Sequence, residues 1–442
     1  MNFAAMKLWV AVLAVVGAWY WSEKITEYNP PPGPVHVVYW EKWSDFEADA
    51  MRDVVDDFNK SQSRIFVDFL PVSGVETKTL MAIAGGSPPD IAGLYGNNVA
   101  QYADDQAIEV LDERCKQNHI SPDQYIPAFI DICTIHNHIY ALPSAPASVA
   151  LHYNKKMFSD AGLDPNKPPK TIEEMDAMSD KIFKKTGDKV EAAGFLPSEP
   201  GWWNFAWGYW FGGKLWDGVS KITANTPENI AAFAWVQQFG KKYGAQSLQT
   251  FRGGFGTFNS PQNAFMDEQV AMELQGVWMA NFIGKYNPKM QWGVAPFPYP
   301  ANRPDLANRT IADLDVLTIP RGARHPEEAF EFIKYVESVK GMEKLCLEQK
   351  KNSPLKHMPP DFFAHHPNPN IRLFQDLPNN PHTFTVPKMG IWPEYQQALS
   401  DAFDSVNLQL KTPKEALDEV QAIMQPKLDE SLERLRRRGV IE

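Results

Sequence analysis

Cysteine is scarce in this chain: Cys115, Cys133 and Cys346 are the only three in 442 residues. Three thiols permit at most one disulfide. In an oxidising compartment Cys115 and Cys133 are the pair available, leaving Cys346 alone; three unpaired buried thiols are the alternative. Metal-binding spacing is also missing. His136 and His138 alternate on an expected strand, and His365-His366 lies in a Pro/Asn-rich loop, neither with a carboxylate or cysteine companion. There is no basic excess either: 43 Lys and Arg against 54 Asp and Glu give a net charge of -11. Nucleic acid is therefore excluded as a partner class, because phosphate binding needs a basic face. The one basic run, Arg434 to Arg438, ends the last expected helix, where cations complement the helix dipole. Beyond the N-terminus no apolar run is long enough to span a bilayer, so the chain is not multi-pass. No internal repeat is present.

What the chain does have begins at its N-terminus. Lys7 precedes an apolar run from Leu8 to Val16, followed by Gly17-Ala18 and Trp19-Tyr20-Trp21. This suits a cleaved export signal. It equally suits an uncleaved anchor from Phe3 to Trp21, with its rings at the interface. Either reading puts the body of the protein outside the cytoplasm. Asn29-Pro30-Pro31-Pro32-Gly33-Pro34 then forms a stiff spacer.

A length of 442 residues is too much for one small core and implies two lobes. Val35 to Trp40 reads as a buried strand. Ser44 and Asp45 then cap a helix with Phe46, Ala50, Val54, Val55 and Phe58 at helical spacing, and Arg64 to Leu70 returns as a strand. That β-α-β unit implies parallel strands. A short helix over Glu76 to Ala84 and a strand over Asp90 to Tyr95 follow. Ligands of open α/β sheets bind beyond the carboxyl ends of strands, which places Glu41 to Ser44 and Tyr95 to Asn98 at a ligand edge. Further on, Thr226 and Pro227 open a helix, as does Pro326. The last helix, from Pro413, carries Pro426, where a kink is expected. Most conspicuous is "GWWNFAWGYWFGG", residues 201 to 213, with seven aromatic rings in ten residues. A helix there would bury Phe205, Tyr209 and Trp202 on one face and leave two or three rings for a flat ligand, Trp202 and Trp203 first.

Several segments taken together resemble the family 1 extracellular solute-binding proteins of ABC importers, the group that contains maltose-binding protein. They are "YALPSAPASVALHYNKKMFSDAGLDPNKPPKTIEEM", "GSPPDIAGLYG", "AFMDEQVAMELQGVWMANF", "WGVAPFP" and "LTIPRGARHPEEAFEFIKYVES", and their order is the family's over most of residues 35 to 440. There are departures. No lipobox cysteine follows the apolar run, so lipid attachment is not expected. Asp267-Glu268-Gln269-Val270 stands where Gly-Lys-Ala-Ala is common, and "IADLDVLTI" lacks the glycine pair of the second hinge.

The resemblance implies an α/β, two-lobed periplasmic-binding-protein-like fold of type II, hinge-connected, with a ligand cleft between the lobes. After the segment 1–34, lobe 1 takes residues 35–145 and 318–376, and lobe 2 takes 146–312 and 384–442. It implies capture of a carbohydrate, an oligosaccharide for preference, and delivery to membrane permease subunits by a monomeric, extracytoplasmic, non-catalytic protein without metal or cofactor. The expected ligand contacts are Trp43, Tyr95, Asn97, Trp202, Trp203, Trp278, Asp313 and Trp392. Aromatic faces cover the C–H faces of sugar rings, while Asn97 and Asp313 meet hydroxyls. Core packing is the alternative for each ring, and helix capping or solvation for Asn97 and Asp313. Two other classes compete. A glycoside hydrolase would need a carboxylate pair, for which Asp313, Asp315, Glu394 and Asp217 are available without a pairing motif. A binding protein for a charged solute, polyamine or glycerol phosphate, would need cleft carboxylates or an arginine site.

Overall fold

The computed structural model describes residues 33–257 and 259–441. The N-terminal apolar run and most of the proline spacer lie outside them.

The β-α-β reading holds. Strand β1 (Val35–Glu41) pairs in parallel with β2 (Ile65–Pro71) in the register Val35↔Ile65, and with β3 (Ile91–Tyr95) at Tyr39↔Ile91. The helix Asp45–Ser61 between β1 and β2 buries Met51, Val54, Val55 and Phe58. Phe58 meets Phe332 edge-on, so the helix Pro326–Val336 lies beside it. Large apolar side chains at helical spacing on both partners make this seam. The expected strand carrying His136 and His138 is instead a tight hairpin of β4 (Thr134–Ile135) and β5 (His138–Ile139). His136 and Asn137 form its turn at positive φ, which a continuous strand does not allow.

The chain leaves this region through β6 (Leu142–Pro146) and enters β7 (Val149–Asn154) two residues later. Strands β8 (Lys184–Thr186), β9 (Lys189–Phe195), β10 (Val270–Gly276) and β11 (Trp292–Ala295) follow, and β12 (Leu314–Thr318) returns. One five-stranded sheet has the order β2-β1-β3-β12-β6, with β12 antiparallel to both neighbours; the other has β11-β7-β10-β9-β8. The strands β7, β10 and β12 are buried along their length, as expected of sheets covered on both faces, although they carry the polar His152, Asn154, Glu273, Gln275 and Asp315. Residues after β12 from Ile319 to Phe362 share a core with β1 and β2, whereas the helices Trp392–Asn407 and Pro413–Arg437 share one with β7, β9 and β10. The final helix runs on through Pro426.

The crossing segments are stitched together. Ala147 donates its N–H to the Asp313 carbonyl (2.7 Å), Ala312 to that of Phe384 (2.8 Å) and Phe384 to that of Thr310 (2.9 Å). The Thr310 hydroxyl bonds the Val149 carbonyl (2.7 Å).

The aromatic stretch is more deeply buried than one helical face would make it. Its regular structure is a 3-10 turn over Asn204–Ala206 and a four-residue helix, Trp207–Trp210. Gly208 and Gly213 both lie against Asn229, whose amide donates to the carbonyls of Lys214 and Thr223 (2.9 Å each). A Cβ at either glycine would overlap that amide, so the glycines let the ring-bearing loop close onto the helix Pro227–Tyr243. Thr226 caps this helix as expected, accepting the Asn229 N–H. All three cysteines are buried free thiols, so Cys115 and Cys133 do not pair. Burial pushes both of these thiols up, Cys115 to about 12, which leaves them in the protonated, unreactive form.

Candidate functional site

A cavity of about 550 Å³ lies where strand ends of the first sheet face the aromatic stretch of the second lobe. From the first sheet come Lys42, Trp43 and Ser44 after β1, Tyr95 at the end of β3 and Asn97 after it, and Asp313 to Asp315 at the entry to β12. From the other side come Trp202, Trp203, Phe205, Trp278 and Phe282, with Val386 and Gln396 from the final crossing and the helix after it. The volume is that of a small-molecule site, and its place beyond the carboxyl ends of β1 and β3 is where open α/β sheets bind ligands.

The first-lobe wall rests on an ion network. Lys42 Nζ lies 3.1 Å from both Glu41 Oε1 and Asp315 Oδ1, and donates to the Leu94 carbonyl at 3.1 Å. Lys351 Nζ lies 2.7 Å from Glu47 and 3.6 Å from Asp315 Oδ2. The lysine side chains are only 5% and 3% exposed, so unpaired charges there would be prohibitive. Burial works against each ammonium, but Asp315 and Glu41 around Lys42, and Glu47 and Asp315 around Lys351, outweigh it and raise both pKa values. The Trp43 N–H donates to Asp315 Oδ2 (3.1 Å). The Lys42 ammonium stands 5.1 Å from the Trp43 ring and 4.7 Å from the Tyr95 ring, with Lys351 5.6 Å from Trp43. The cations thus fix the two rings from behind.

Asp313 is half-buried beside this network, and Leu314 N–H bonds its Oδ1 at 2.8 Å. Burial, with the neighbouring Asp315 charge, lifts its pKa to about 7, against the opposing pull of that N–H and of Lys42. Near neutrality it is therefore a mixed population that accepts, or both donates and accepts, hydrogen bonds.

On the opposite wall Trp278 folds back over Gly276, where a Cβ would run into its ring. Trp202 and Trp278 meet at 5.8 Å with planes 52° apart. The indole N–H groups of Trp203 and Trp278 and the side-chain oxygen of Asn97 are buried without a partner in the protein. Buried polar atoms of this kind are normally satisfied, and a ligand rich in hydroxyls is one means of doing so.

Trp43, Tyr95, Asn97, Trp202, Trp203, Trp278 and Asp313, all expected from sequence, are thus brought to one cavity. Trp392 is not. It is 1% exposed and packs edge-on against Phe205 (5.3 Å) and Tyr395 (5.8 Å). Phe205 is in the core as expected, covering Trp392, and also lines the cavity; one turn along that helix Gln396 reaches the cavity instead. Glu47, Lys351, Phe282 and Gln396 were not anticipated, and Lys42 only as part of the Glu41–Ser44 edge. Lys42 had a signal in its place at a strand end beside Trp43. Lys351 is brought in from far along the chain and carried none, and Glu47, four residues after Trp43 in the first turn of its helix, carried none beyond that place. Among the other carboxylates considered, Glu394 pairs with Lys427 on the surface and Asp217 caps the turn Val219–Lys221. Among the described residues no group of His, Cys, Asp and Glu is placed to hold a metal, and no helix is long and apolar enough to cross a membrane.

The chain is 21% identical over 305 residues to a maltotriose-binding protein of Pyrococcus abyssi; the match covers 69% of this chain and 62% of that protein. It is 26% identical over 375 residues to the sn-glycerol-3-phosphate-binding periplasmic protein of Escherichia coli, covering 77% and 79%. The structure of CpMnBP1 with mannobiose bound superposes with a TM-score of 0.78 at 25% identity, over 88% of this chain and 99% of that one. With two sheets joined by crossing strands and a cavity between them, this gives the two-lobed α/β fold expected from sequence. The family description that matches residues 53–358 is that of bacterial extracellular solute-binding proteins, and to that family the chain belongs.

Proposed function

We propose that this protein captures a neutral carbohydrate, an oligosaccharide, between its lobes outside the cytoplasm and delivers it unaltered to the permease subunits of an ABC importer. The observation that carries the reading is the cavity wall: the rings of Trp43, Tyr95, Trp202, Trp203 and Trp278 alternate with polar groups, and both lysines are neutralised by carboxylates. Rings supply flat apolar area for sugar C–H faces; Asn97, Asp313 and Gln396 supply edge hydrogen bonds. Maltotriose in the name of one relative and mannobiose in the structure of another support the class. The glycerol-phosphate relative suggests an anionic ligand, but Glu47, Asp313 and Asp315 outnumber Lys42 and Lys351 on the wall, leaving no spare cation for phosphate. The same account takes residues 35–145 with 318–376 as one lobe and 146–312 with 384–442 as the other, in a monomer exported by its N-terminal segment as signal or anchor.

The test is titration calorimetry of residues 35–442 against neutral mono-, di- and trisaccharides and glycerol 3-phosphate, with chromatography of each ligand afterwards. Micromolar or tighter binding of an intact sugar is expected. Preference for glycerol 3-phosphate, or shortened products, overturns the proposal.

A further inference from the structure

A second cavity, of about 390 Å³, lies between the loop Gly212–Trp216 and the segment Pro381–Lys388, on the far side of Val386, which lines both cavities. It is lined by Arg309, Lys214, Lys388 and His382 and by no carboxylate. In a chain of net charge -11 that is an unusual concentration of one sign.

Arg309 is the central group. It is half-buried, its Nη1 donates to the Tyr209 carbonyl at 3.0 Å, and its guanidinium lies 5.0 Å from the Tyr209 ring. Its Nε is buried and meets no acceptor in the protein. The nearby carboxylate, Asp305, is held in a fork by Arg303 at 2.9 and 2.7 Å. Burial pulls the Arg309 pKa down and the like charge of Arg303 adds to it, against the opposing pull of Tyr209 and Asp305. A guanidinium partly removed from water, whose nearby carboxylate is committed to another arginine, gains from an anion that meets it. Lys388 is engaged by Asp131 at 2.7 Å, whereas Lys214 is exposed on the rim.

We propose that this cavity binds a small oxyanion, phosphate or sulfate in chemistry, with the half-buried Arg309 as the anchor and Lys214 as the rim cation. With Nη1 committed to the Tyr209 carbonyl, Arg309 still brings a planar, permanently charged donor group to the cavity wall, the chemistry that makes arginine the preferred partner of such anions. The site is separate from the sugar cavity and does not depend on the ligand assigned there.

The experiment is thermal unfolding at constant ionic strength, with sodium phosphate or sulfate replacing sodium chloride, on the wild type, Arg309→Gln, Lys214→Ala and Trp43→Ala. A saturable rise in melting temperature with phosphate is expected for the wild type and for Trp43→Ala, whose change lies in the other cavity. Losing one charge-assisted pair should weaken the response roughly tenfold or more in Arg309→Gln, and measurably in Lys214→Ala. Lys214 is exposed, so that variant stays informative even where Arg309→Gln melts early in chloride. A phosphate response equal to that of chloride overturns the proposal, as does one unchanged in both Arg309→Gln and Lys214→Ala. Loss of the response in Trp43→Ala alone assigns the anion to the sugar cavity and overturns it as well.

Discussion

The indole N–H of Trp43 donates to Asp315 Oδ2 across 3.1 Å, and the same carboxylate takes Lys42 on its other oxygen. One side chain thereby fixes the orientation of a cavity-lining ring and neutralises a buried cation. Removing it differs from removing the bond to the ring. Asp315→Ala should destabilise the protein by about 3 kcal/mol or more, because Lys42 and Lys351 each lose a partner while buried. Trp43→Phe, which deletes the N–H and part of the ring but leaves both lysines paired, should cost less, about 1–2 kcal/mol. Urea unfolding of both variants checks this; equal losses would mean that Asp315 matters only through Trp43.

The cavity tryptophans and the buried one should separate. Trp278→Ala should weaken binding of the sugar found in the calorimetric panel by more than about tenfold, as for a stacked ring at a desolvated contact. Trp392→Ala should cost ~3–5 kcal/mol of stability and leave affinity near normal in the folded fraction. Melting temperature and calorimetry on the same samples decide; an early-melting Trp278→Ala with normal affinity would put that ring among the packing residues.

Asp313 gives a pH dependence with a definite sign. Its folded pKa of about 7 lies above the ordinary aspartate value, so the fold favours the protonated form. The stability this contributes is complete below the unfolded pKa of about 4 and is lost as pH rises through 7. Asp313→Asn, which cannot ionise, should remove that decline. Melting curves of the two proteins from pH 4.5 to 8 should converge at the acid end and spread apart as pH rises; parallel curves would refute the assignment.

Gly208→Ala tests how the aromatic stretch is closed. Its new methyl would overlap the Asn229 amide and should destabilise by ~1–3 kcal/mol, more than the helix-propensity gain returns. A neutral or stabilising effect would show that the loop can move aside.

Local pattern carried much of this fold. The β1-helix-β2 unit, the Thr226 cap and the strand ends that line the cavity follow from spacing and capping chemistry alone, and the order of longer segments carried the two lobes. Which face of a helix meets a cavity did not follow. Trp392 and Gln396 lie one turn apart on one helix, and it is Phe205, from a distant segment, that buries the first and leaves the second exposed to the cavity. Lys351 lies in an unremarkable lysine-rich stretch, and only the tertiary fold brings it to Glu47 and Asp315. Periodicity also failed at His136 and His138, where a two-residue turn mimics strand alternation.

Asp313 faces in two directions. Its carboxyl enters the cavity, while its own carbonyl receives the Ala147 N–H that joins two of the three crossing segments. A solute that grips the carboxyl therefore pulls on a stitch in the seam between the lobes, with no intervening residue to absorb the displacement. Chemical recognition and mechanical linkage are here the two ends of a single aspartate, so a change at one cannot be kept from the other.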